Sequence, residues 1–200
     1  LATEAGCDMH FSTFVSSLVV KDDKVCGIVV NGKEQFFDLV IDASGMNSPF
    51  RAQVPNKFGV QAKVLPTDVM YGYRAFFDKV DGATTREEGI NSTLTLKHLG
   101  ETGISWCNLN EDGNVDVLIG RVGGLDDKQI ESAILALRAS NQILGTHLIS
   151  ENKVEICLRM SIARAVADGY VAIGDSAFMT MPLMGSGIES SMKAGALFAD

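Results

Sequence analysis

The residues best suited to bind a cofactor lie near the end of the chain. A short apolar strand over 171–173 stops at Gly174 and Asp175, and a loop containing Pro182 leads to a helical pattern near Gly187. An aspartate at the carboxyl end of a buried strand accepts hydrogen bonds from ribose-type hydroxyls, and glycines ahead of a helix let backbone N–H groups approach negative charge. The spacing predicts a cofactor site formed by Gly174, Asp175, Pro182, Gly185, Ser186, Gly187 and Ile188. The structural alternative is that Asp175 caps a turn and the glycines shape a loop.

A second polar run follows another apolar strand earlier in the chain. The segment 38–51 reads Asp-Leu-Val-Ile-Asp-Ala-Ser-Gly-Met-Asn-Ser-Pro-Phe-Arg, which places Ser44, Gly45 and Arg51 after the strand. A serine hydroxyl either hydrogen-bonds a sugar or satisfies a turn amide. Arg51 either helps to hold a cofactor or forms a surface ion pair.

These two runs, in this order, resemble two motifs of the hydroxybenzoate-hydroxylase superfamily of flavoproteins. The later run is similar to its second FAD-binding motif, Gly-Asp-(Ala/Ser)-Ala…Pro…Gly-x-Gly, and the earlier run to Ala-Asp-Gly-x-x-Ser-x-x-Arg. Ser44 departs from the common Asp, as in branches that include halogenases and prenyl reductases. The resemblance implies that FAD is bound by the residues named above, including Ser44, Gly45 and Arg51.

The middle of the chain carries a partial resemblance to the geranylgeranyl reductase family. The segment 103–120 is similar to that family's Tyr-x-Trp-x-Phe-Pro…Gly-x-Gly pattern, with Trp106 in place but Asn108 and Leu109 where Phe-Pro is expected. This favours the branch of geranylgeranyl reductases and electron-transfer-flavoprotein:quinone oxidoreductase-like proteins. The candidate substrate-binding residues are Arg74, Trp106, Met181 and Met184. Their structural alternatives are core packing for Trp106 and the methionines, and stacking on a neighbouring tyrosine for Arg74.

Composition narrows the function classes. A chain of 200 residues with 46% apolar content buries a substantial core, and its net charge of -8 argues against nucleic acid as a partner. The four cysteines and three histidines stand singly, which indicates reduced thiols in a cytoplasmic protein and no metal site. No stretch is apolar enough to predict a membrane span.

The spacing of apolar residues predicts a chain made mostly of strands, with few helices. Asn31-Gly32 predicts a two-residue hairpin turn, the first residues resemble the last turn of a helix capped by Gly6, and Asp126 or Asp127 begins a helix that closes at Gly145. The predicted strands span 11–20, 25–30, 35–41, 69–80, 92–99, 104–109, 115–122 and 154–160.

The expected fold class is α/β, or α+β within these residues. The resemblance implies part of a Rossmann-like FAD-binding domain, formed by residues 1–60 and 155–200, and a mixed, largely antiparallel sheet over 61–154 that forms the substrate domain. The Gly-x-Gly-x-x-Gly fingerprint that normally opens such proteins does not occur. We therefore expect an internal piece of a longer flavoprotein that is inactive by itself.

The function implied is that of an FAD-dependent oxidoreductase acting on a hydrophobic isoprenoid or a quinone. Its partners would be that small substrate and an electron donor such as NAD(P)H, ferredoxin or electron-transfer flavoprotein, and peripheral membrane contact stays open. A flavin monooxygenase or halogenase of the same superfamily is the first alternative. The second is a flavin-free binding domain. No histidine, cysteine or lysine stands out as a catalytic acid or base, so the catalytic residues are unassigned.

Overall fold

The computed structural model describes residues 2–83, 103–180 and 187–199. The chain divides into two compact units. The first unit comprises Leu1–Lys63 and Met160–Asp200, and the second comprises Val64–Arg159.

The first unit opens with a three-stranded antiparallel sheet. Its strands are β1 (Val15–Lys21), β2 (Lys24–Val30) and β3 (Lys33–Phe36), in the order β1-β2-β3. Between β2 and β3, Asn31 and Gly32 have φ of 52° and 74°. Both angles are positive, as a two-residue type I′ turn requires, so the predicted hairpin is confirmed.

A second small sheet joins the two ends of the chain within the same unit. Strand β4 (Val40–Asp42) pairs in parallel with β10 (Tyr170–Ala172), which pairs antiparallel with β9 (Val166–Ala167). The register aligns Ala172 with Asp42, so both strands end side by side. Helix α2 (Ile188–Ala199) follows β10 along the chain.

Two sequence predictions for the first unit were wrong in their boundaries. The strand predicted over 35–41 is two strands, because β3 pairs with β2 while β4 turns away to bury Asp42 beside Tyr170. The first residues form a turn rather than a helix, and the next strand begins at Val15 instead of residue 11. Gly6 has φ +84° and Cys7 donates its N–H to the Ala2 carbonyl, so the cap forms without a helix ahead of it.

The second unit is a four-stranded antiparallel sheet with one helix. The strand order is β6-β7-β5-β8. The elements are β5 (Val69–Lys79), β6 (Gly103–Leu109), β7 (Val115–Val122), α1 (Asp127–Ser140) and β8 (Leu144–Cys157). The strand predicted over 92–99 lies outside the described residues. With these elements, the predicted mixed fold class with a largely antiparallel sheet is confirmed.

Helix α1 begins as predicted and ends earlier. Asp126 accepts the Gln129 N–H at 2.8 Å while the Gln129 side chain accepts the Asp126 N–H at 3.0 Å, which forms a capping box. The helix ends at Ser140 rather than Gly145, because the Asn141 side chain binds the Leu137 carbonyl and the backbone becomes extended. Gly145 instead lies in β8, where a Cβ would come within 2.1 Å of Asp78 Oδ1.

The two faces of this sheet differ. Alternate residues of β5, β6 and β7 pack with α1 in one apolar cluster that includes Phe77, Cys107, Ile119 and Leu137. Burial raises the pKa of the Cys107 thiol to about 11, so this cysteine behaves as an apolar core residue. Arg74 and Trp106 alternate with residues of this cluster and therefore lie on the opposite face. Neither helix of the described residues has the length and apolarity to cross a membrane.

Candidate cofactor site

The site in the first unit is built around Asp42, the last residue of β4. Its side chain is 3% exposed. The carboxylate accepts hydrogen bonds from Ser44 Oγ at 2.6 Å, Ser44 N–H at 2.9 Å, Ser48 Oγ at 2.5 Å and Tyr170 Oη at 2.6 Å. Burial raises the pKa of Asp42, but these hydrogen bonds outweigh it and hold the pKa below its usual value. Asp42 is therefore a buried, ionised carboxylate whose acceptor positions are occupied by its own unit.

The main chain of Asp42 connects this loop with the second motif. Its carbonyl accepts the Ile173 N–H at 3.0 Å and also the Ser176 hydroxyl. Because β4 and β10 run in parallel, their carboxyl ends meet at the same edge of the sheet. Direct hydrogen bonds thus join the two sequence motifs. One of them links Arg51 with Ser176, which are 125 positions apart in the chain.

Arg51 makes the second connection between the motifs. Its side chain is 3% exposed, and the guanidinium donates to the carbonyls of Ser176 at 2.6 Å, Met46 at 2.5 Å and Gly45 at 3.5 Å. It also lies 4.5 Å from the centroid of the Phe178 ring. Arg51 is therefore not a surface ion pair, and its guanidinium binds main-chain carbonyls of its own unit. A direct role in binding FAD stays a prediction.

Ser44, which was predicted to bind the cofactor, has a hydrogen-bond partner within its own unit. Its hydroxyl donates to Asp42, so the hydroxyl that replaces the usual carboxylate supports the buried network. Gly45 has φ +92°, a backbone conformation that residues with a side chain rarely adopt. A Cβ at this position would meet no atom within 4 Å. A direct contact of Ser44 or Gly45 with a cofactor remains untested.

The second motif forms a tight turn that presents Asp175 outward. Residues Gly174–Ala177 form one 3-10 turn between Gly174 at φ 62° and Phe178 at φ 55°. A bulky residue in the left-handed region is unusual and persists only where its surroundings fix it. Phe178 is fully buried beneath Arg51, whereas Asp175 is exposed and accepts a hydrogen bond from the Thr180 hydroxyl.

The start of α2 lies against this turn. A Cβ on Gly187 would lie 2.9 Å from Thr180 Oγ1 and 3.5 Å from Asp175 Oδ1, so only glycine fits without displacing the threonine hydroxyl. The first backbone N–H groups of a helix have no partner within the helix and favour negative charge. Asp175, Thr180 and Gly187, here called the cradle, thus combine an exposed carboxylate with a helix N-terminus. The predicted site residues Met181, Pro182, Met184, Gly185 and Ser186 lie outside the described residues.

The substrate-binding candidates Arg74 and Trp106 lie in the second unit. They belong to one cross-strand row, because Leu118 pairs with both. Arg74 donates to both carboxylate oxygens of Asp116, at 3.0 and 2.8 Å, and lies 5.2 Å from the Phe76 ring. The arginine therefore lies over a phenylalanine rather than a tyrosine, and its charge is paired with Asp116. The hydrogen bonds that Arg74 donates to this carboxylate raise the pKa of its guanidinium.

A cavity of about 540 Å³ opens on the other face of the same sheet, beside α1. It is lined by residues of α1, β5 and β8, among them Tyr73, Ile134 and Glu151. Tyr73 donates to Glu151 at 2.5 Å, and burial together with that carboxylate raises the tyrosine pKa. Of the predicted site residues that the structure describes, none lines this cavity.

Sequence reasoning missed three side chains that complete the site. Tyr170, Ser176 and Thr180 form hydrogen bonds with Asp42 or Asp175. A buried tyrosine needs a partner for its hydroxyl, so a tyrosine at the start of an apolar strand indicates a polar group in the neighbouring strand. The buried tyrosine hydroxyl of Tyr170 could therefore have indicated Asp42 as its partner. The sequence analysis treated Asp42 only as the end of a strand.

Comparisons with known proteins find reductases of the kind that the motifs resemble. Over 204 residues the chain is 25% identical to digeranylgeranylglycerophospholipid reductase 2 of Methanococcoides burtonii, covering 96% of this chain and 46% of that protein. A geranylgeranyl bacteriochlorophyll reductase-like protein from Thermoplasma acidophilum superposes with a TM-score of 0.81 at 17% identity, over 99% of this chain and 50% of that chain. The flavin-dependent brominase Bmp2 superposes with a TM-score of 0.67 at 18% identity, over 97% of this chain and 50% of that chain. No protein-family model matches.

The predicted resemblance to geranylgeranyl reductase-like proteins is therefore confirmed, both in sequence and in fold. The chain spans about half the length of these relatives. The neighbours include flavin-dependent enzymes, which agrees with the flavoprotein motifs identified in the sequence.

Proposed function

We propose that this chain is part of an FAD-dependent reductase that saturates double bonds of a hydrophobic isoprenoid. The observation that carries the proposal is the joining of the two motifs by Asp42 and Arg51, which brings Asp175 against the start of α2. That arrangement accompanies 25% identity to a digeranylgeranylglycerophospholipid reductase over 96% of the chain.

The cradle fits the chemistry of FAD. The exposed Asp175 carboxylate is an acceptor for the ribityl or ribose hydroxyls, with Thr180 beside it as a further polar partner. Gly187 lets the start of α2 pack against Thr180 Oγ1 and Asp175 Oδ1, which a Cβ would meet at 2.9 and 3.5 Å, so the helix N-terminus lies beside the exposed carboxylate and could receive a negatively charged ring edge. The N-terminus would stabilise negative charge on the reduced flavin.

FAD supplies the redox chemistry when bound, as hydride or electron transfer at its isoalloxazine ring. The residues of this chain contribute binding and position. Asp175 would hold hydroxyls of FAD, the start of α2 would stabilise its negative charge, and Asp42 with Arg51 would keep the two motifs together. The electron donor would be NAD(P)H, ferredoxin or electron-transfer flavoprotein, and contact with a membrane surface would deliver an isoprenoid or quinone substrate.

A flavin-dependent halogenase or monooxygenase is the second candidate, because the chain also superposes on the brominase Bmp2. The requirement for oxygen distinguishes the two functions. A reductase that has been reduced under anaerobic conditions is reoxidised by geranylgeraniol and yields a product heavier by two hydrogens. A monooxygenase or halogenase needs oxygen and leaves that alkene intact.

The cofactor proposal is tested on the full-length protein by titration with FAD. Asp175→Ala should weaken binding by about 10-fold, the value of one charge-assisted hydrogen bond, and Gly187→Val should shift the flavin absorption bands. The matched control is Asp38→Ala, an exposed aspartate of the same unit away from the cradle. Unchanged affinity in Asp175→Ala, or full-length protein that takes up no FAD, would leave the flavin-free binding domain as the better description.

A further inference from the structure

A serine hydroxyl in the first turn of α2 ties this helix to the turn that carries Asp175. Ser190 is half-buried, and its hydroxyl donates to the Met179 carbonyl at 2.6 Å. The Gly187 carbonyl, three residues earlier in the chain, lies farther away at 3.3 Å. Because a hydroxyl carries one hydrogen, the shorter contact is the hydrogen bond, and the bond therefore leaves the helix.

The next serine of α2 makes the hydrogen bond that is ordinary for a helix. Ser191 donates its hydroxyl to the Gly187 carbonyl, four residues earlier, at 2.6 Å. Serine within a helix commonly bonds back to its own helix in this way. The two neighbouring hydroxyls thus have different acceptors, and that of Ser190 connects α2 with another segment.

Met179 carries this connection into the turn. Its N–H donates to the Gly174 carbonyl at 3.0 Å, while its own carbonyl accepts the Ser190 hydroxyl. At the same place α2 approaches the turn closely, since a Cβ on Gly187 would lie 3.5 Å from Asp175 Oδ1. A displacement of α2 would therefore break the Ser190 bond or pull on the main chain that holds Asp175.

The exact position of the helix start matters because its electrostatic effect has a short range. The positive end of a helix dipole stabilises anions near its first turn, and the effect falls off beyond it. Reduction adds negative charge to the flavin ring, so a helix start that has moved away costs reduced FAD more than oxidised FAD.

We infer that Ser190 is a positioning residue that holds the start of α2 against the Asp175 turn and thereby sets the preference of the site for reduced over oxidised FAD. The inference deepens the proposed function and rests on it for the presence of FAD. Ser190 acts through the helix, because its hydroxyl is bound to Met179 and not directed to a ligand.

The experiment uses the full-length protein loaded with FAD. Titration gives the dissociation constant of oxidised FAD, and spectroelectrochemistry gives the midpoint potential of bound FAD relative to free FAD, from which the constant of reduced FAD follows. In Ser190→Ala the constant of reduced FAD should rise about 5-fold more than that of oxidised FAD, as expected for one helix N-terminus and a nearby anion. For a two-electron couple this ratio equals a midpoint potential about 20 mV more negative.

Two further variants separate positioning of α2 from general loosening of the turn. Ser161→Ala is the matched control, since Ser161 donates its hydroxyl to the Phe178 carbonyl at 3.0 Å and so holds the same turn from a segment outside α2. It should leave the ratio of the two constants within about 2-fold of wild type. Ser190→Thr keeps a hydroxyl at the same position and should restore the wild-type potential.

An unchanged potential in Ser190→Ala would overturn the inference and leave Ser190 as an ordinary packing residue of α2. An equal shift in Ser161→Ala, or no recovery in Ser190→Thr, would overturn it as well. These results all require bound FAD, so they contradict the role of Ser190 alone. Full-length protein that takes up no FAD would instead contradict the proposed function and this inference with it.

Discussion

Two aspartates follow neighbouring parallel strands of the first unit and have opposite surroundings. Asp42 is 3% exposed and accepts four hydrogen bonds from serine and tyrosine groups. Asp175 is exposed, and within the described part of the chain its carboxylate accepts a hydrogen bond from the Thr180 hydroxyl. The sequence context of both is similar, an acidic residue at the end of an apolar strand. One carboxylate is therefore bound within a network of its own unit, whereas the other is exposed to solvent, as the proposed ligand-binding role requires.

This division of roles has a physical basis. A buried carboxylate is costly unless its acceptor positions are filled, so Asp42 is stable only because Ser44, Ser48 and Tyr170 donate to it. Once those positions are filled, no capacity remains for a cofactor. Asp175 keeps its contact with solvent and can exchange water for the hydroxyls of a ligand at little cost.

The largest expected effect is that of Asp42→Ala on folding. The substitution leaves the buried hydroxyls of Ser48 and Tyr170 and the exposed hydroxyl of Ser44 without their acceptor, so we expect the free energy of unfolding to fall by about 3–5 kcal/mol. Urea denaturation followed by circular dichroism measures the change. A loss below about 1 kcal/mol, typical of a surface site, would show that Asp42 does not hold the motifs together.

Arg51→Met comes next. Methionine keeps much of the apolar stem and removes the guanidinium, which donates to three carbonyls and lies over Phe178. We expect a loss of about 2–4 kcal/mol, because buried carbonyls are left unsatisfied. Arg138→Met is the matched control, since its guanidinium donates to one carbonyl and lies 5.1 Å from the Phe77 ring. Equal losses in the two variants would argue against a special role for Arg51.

Tyr170→Phe should have a smaller, pH-dependent effect. At pH 7 the lost hydroxyl costs about 1–2 kcal/mol. Tyr170 is one of the groups that lower the pKa of Asp42, so its contribution is fully present above the unfolded aspartate pKa of about 3.9 and is lost as the pH falls through the lower folded value. The difference between wild type and variant should therefore shrink in acid.

Denaturation midpoints measured between about pH 7 and pH 2 check this expectation. A difference that stays constant over the range would mean that the hydroxyl stabilises the fold independently of the charge on Asp42. A difference that grows in acid would contradict the lowered pKa itself.

The sequence predicted the elements better than it predicted the contacts between them. The Asn31-Gly32 hairpin, the Asp126 cap and strands β5, β6 and β7 follow from turn chemistry and period-two patterning, which are local. The strand predicted over 154–160 was wrong in its bounds, because β8 begins at Leu144 and pairs with β5 along its length. The split of residues 35–41 into β3 and β4 and the burial of Arg51 depend on parallel pairing with residues 170–172. Pairing between segments more than a hundred residues apart leaves no pattern in either local sequence. The candidate site was therefore predicted from the resemblance of its motifs and not from hydrophobic periodicity.

The smallest expected effect on stability belongs to Asp175→Ala, and this result sharpens the comparison most. An exposed carboxylate with one hydroxyl partner contributes little to folding, so the free energy of unfolding should change by less than about 0.5 kcal/mol in the absence of ligand. The same variant is expected to weaken FAD binding by the full-length protein, whereas Asp42→Ala should act on binding only through loss of the fold. Thr180→Val is the matched control, because it removes the hydroxyl partner and leaves the carboxylate in place. If Asp175→Ala instead destabilised the protein as strongly as Asp42→Ala, both aspartates would be structural, and the cofactor role assigned to the exposed one would lose its physical basis.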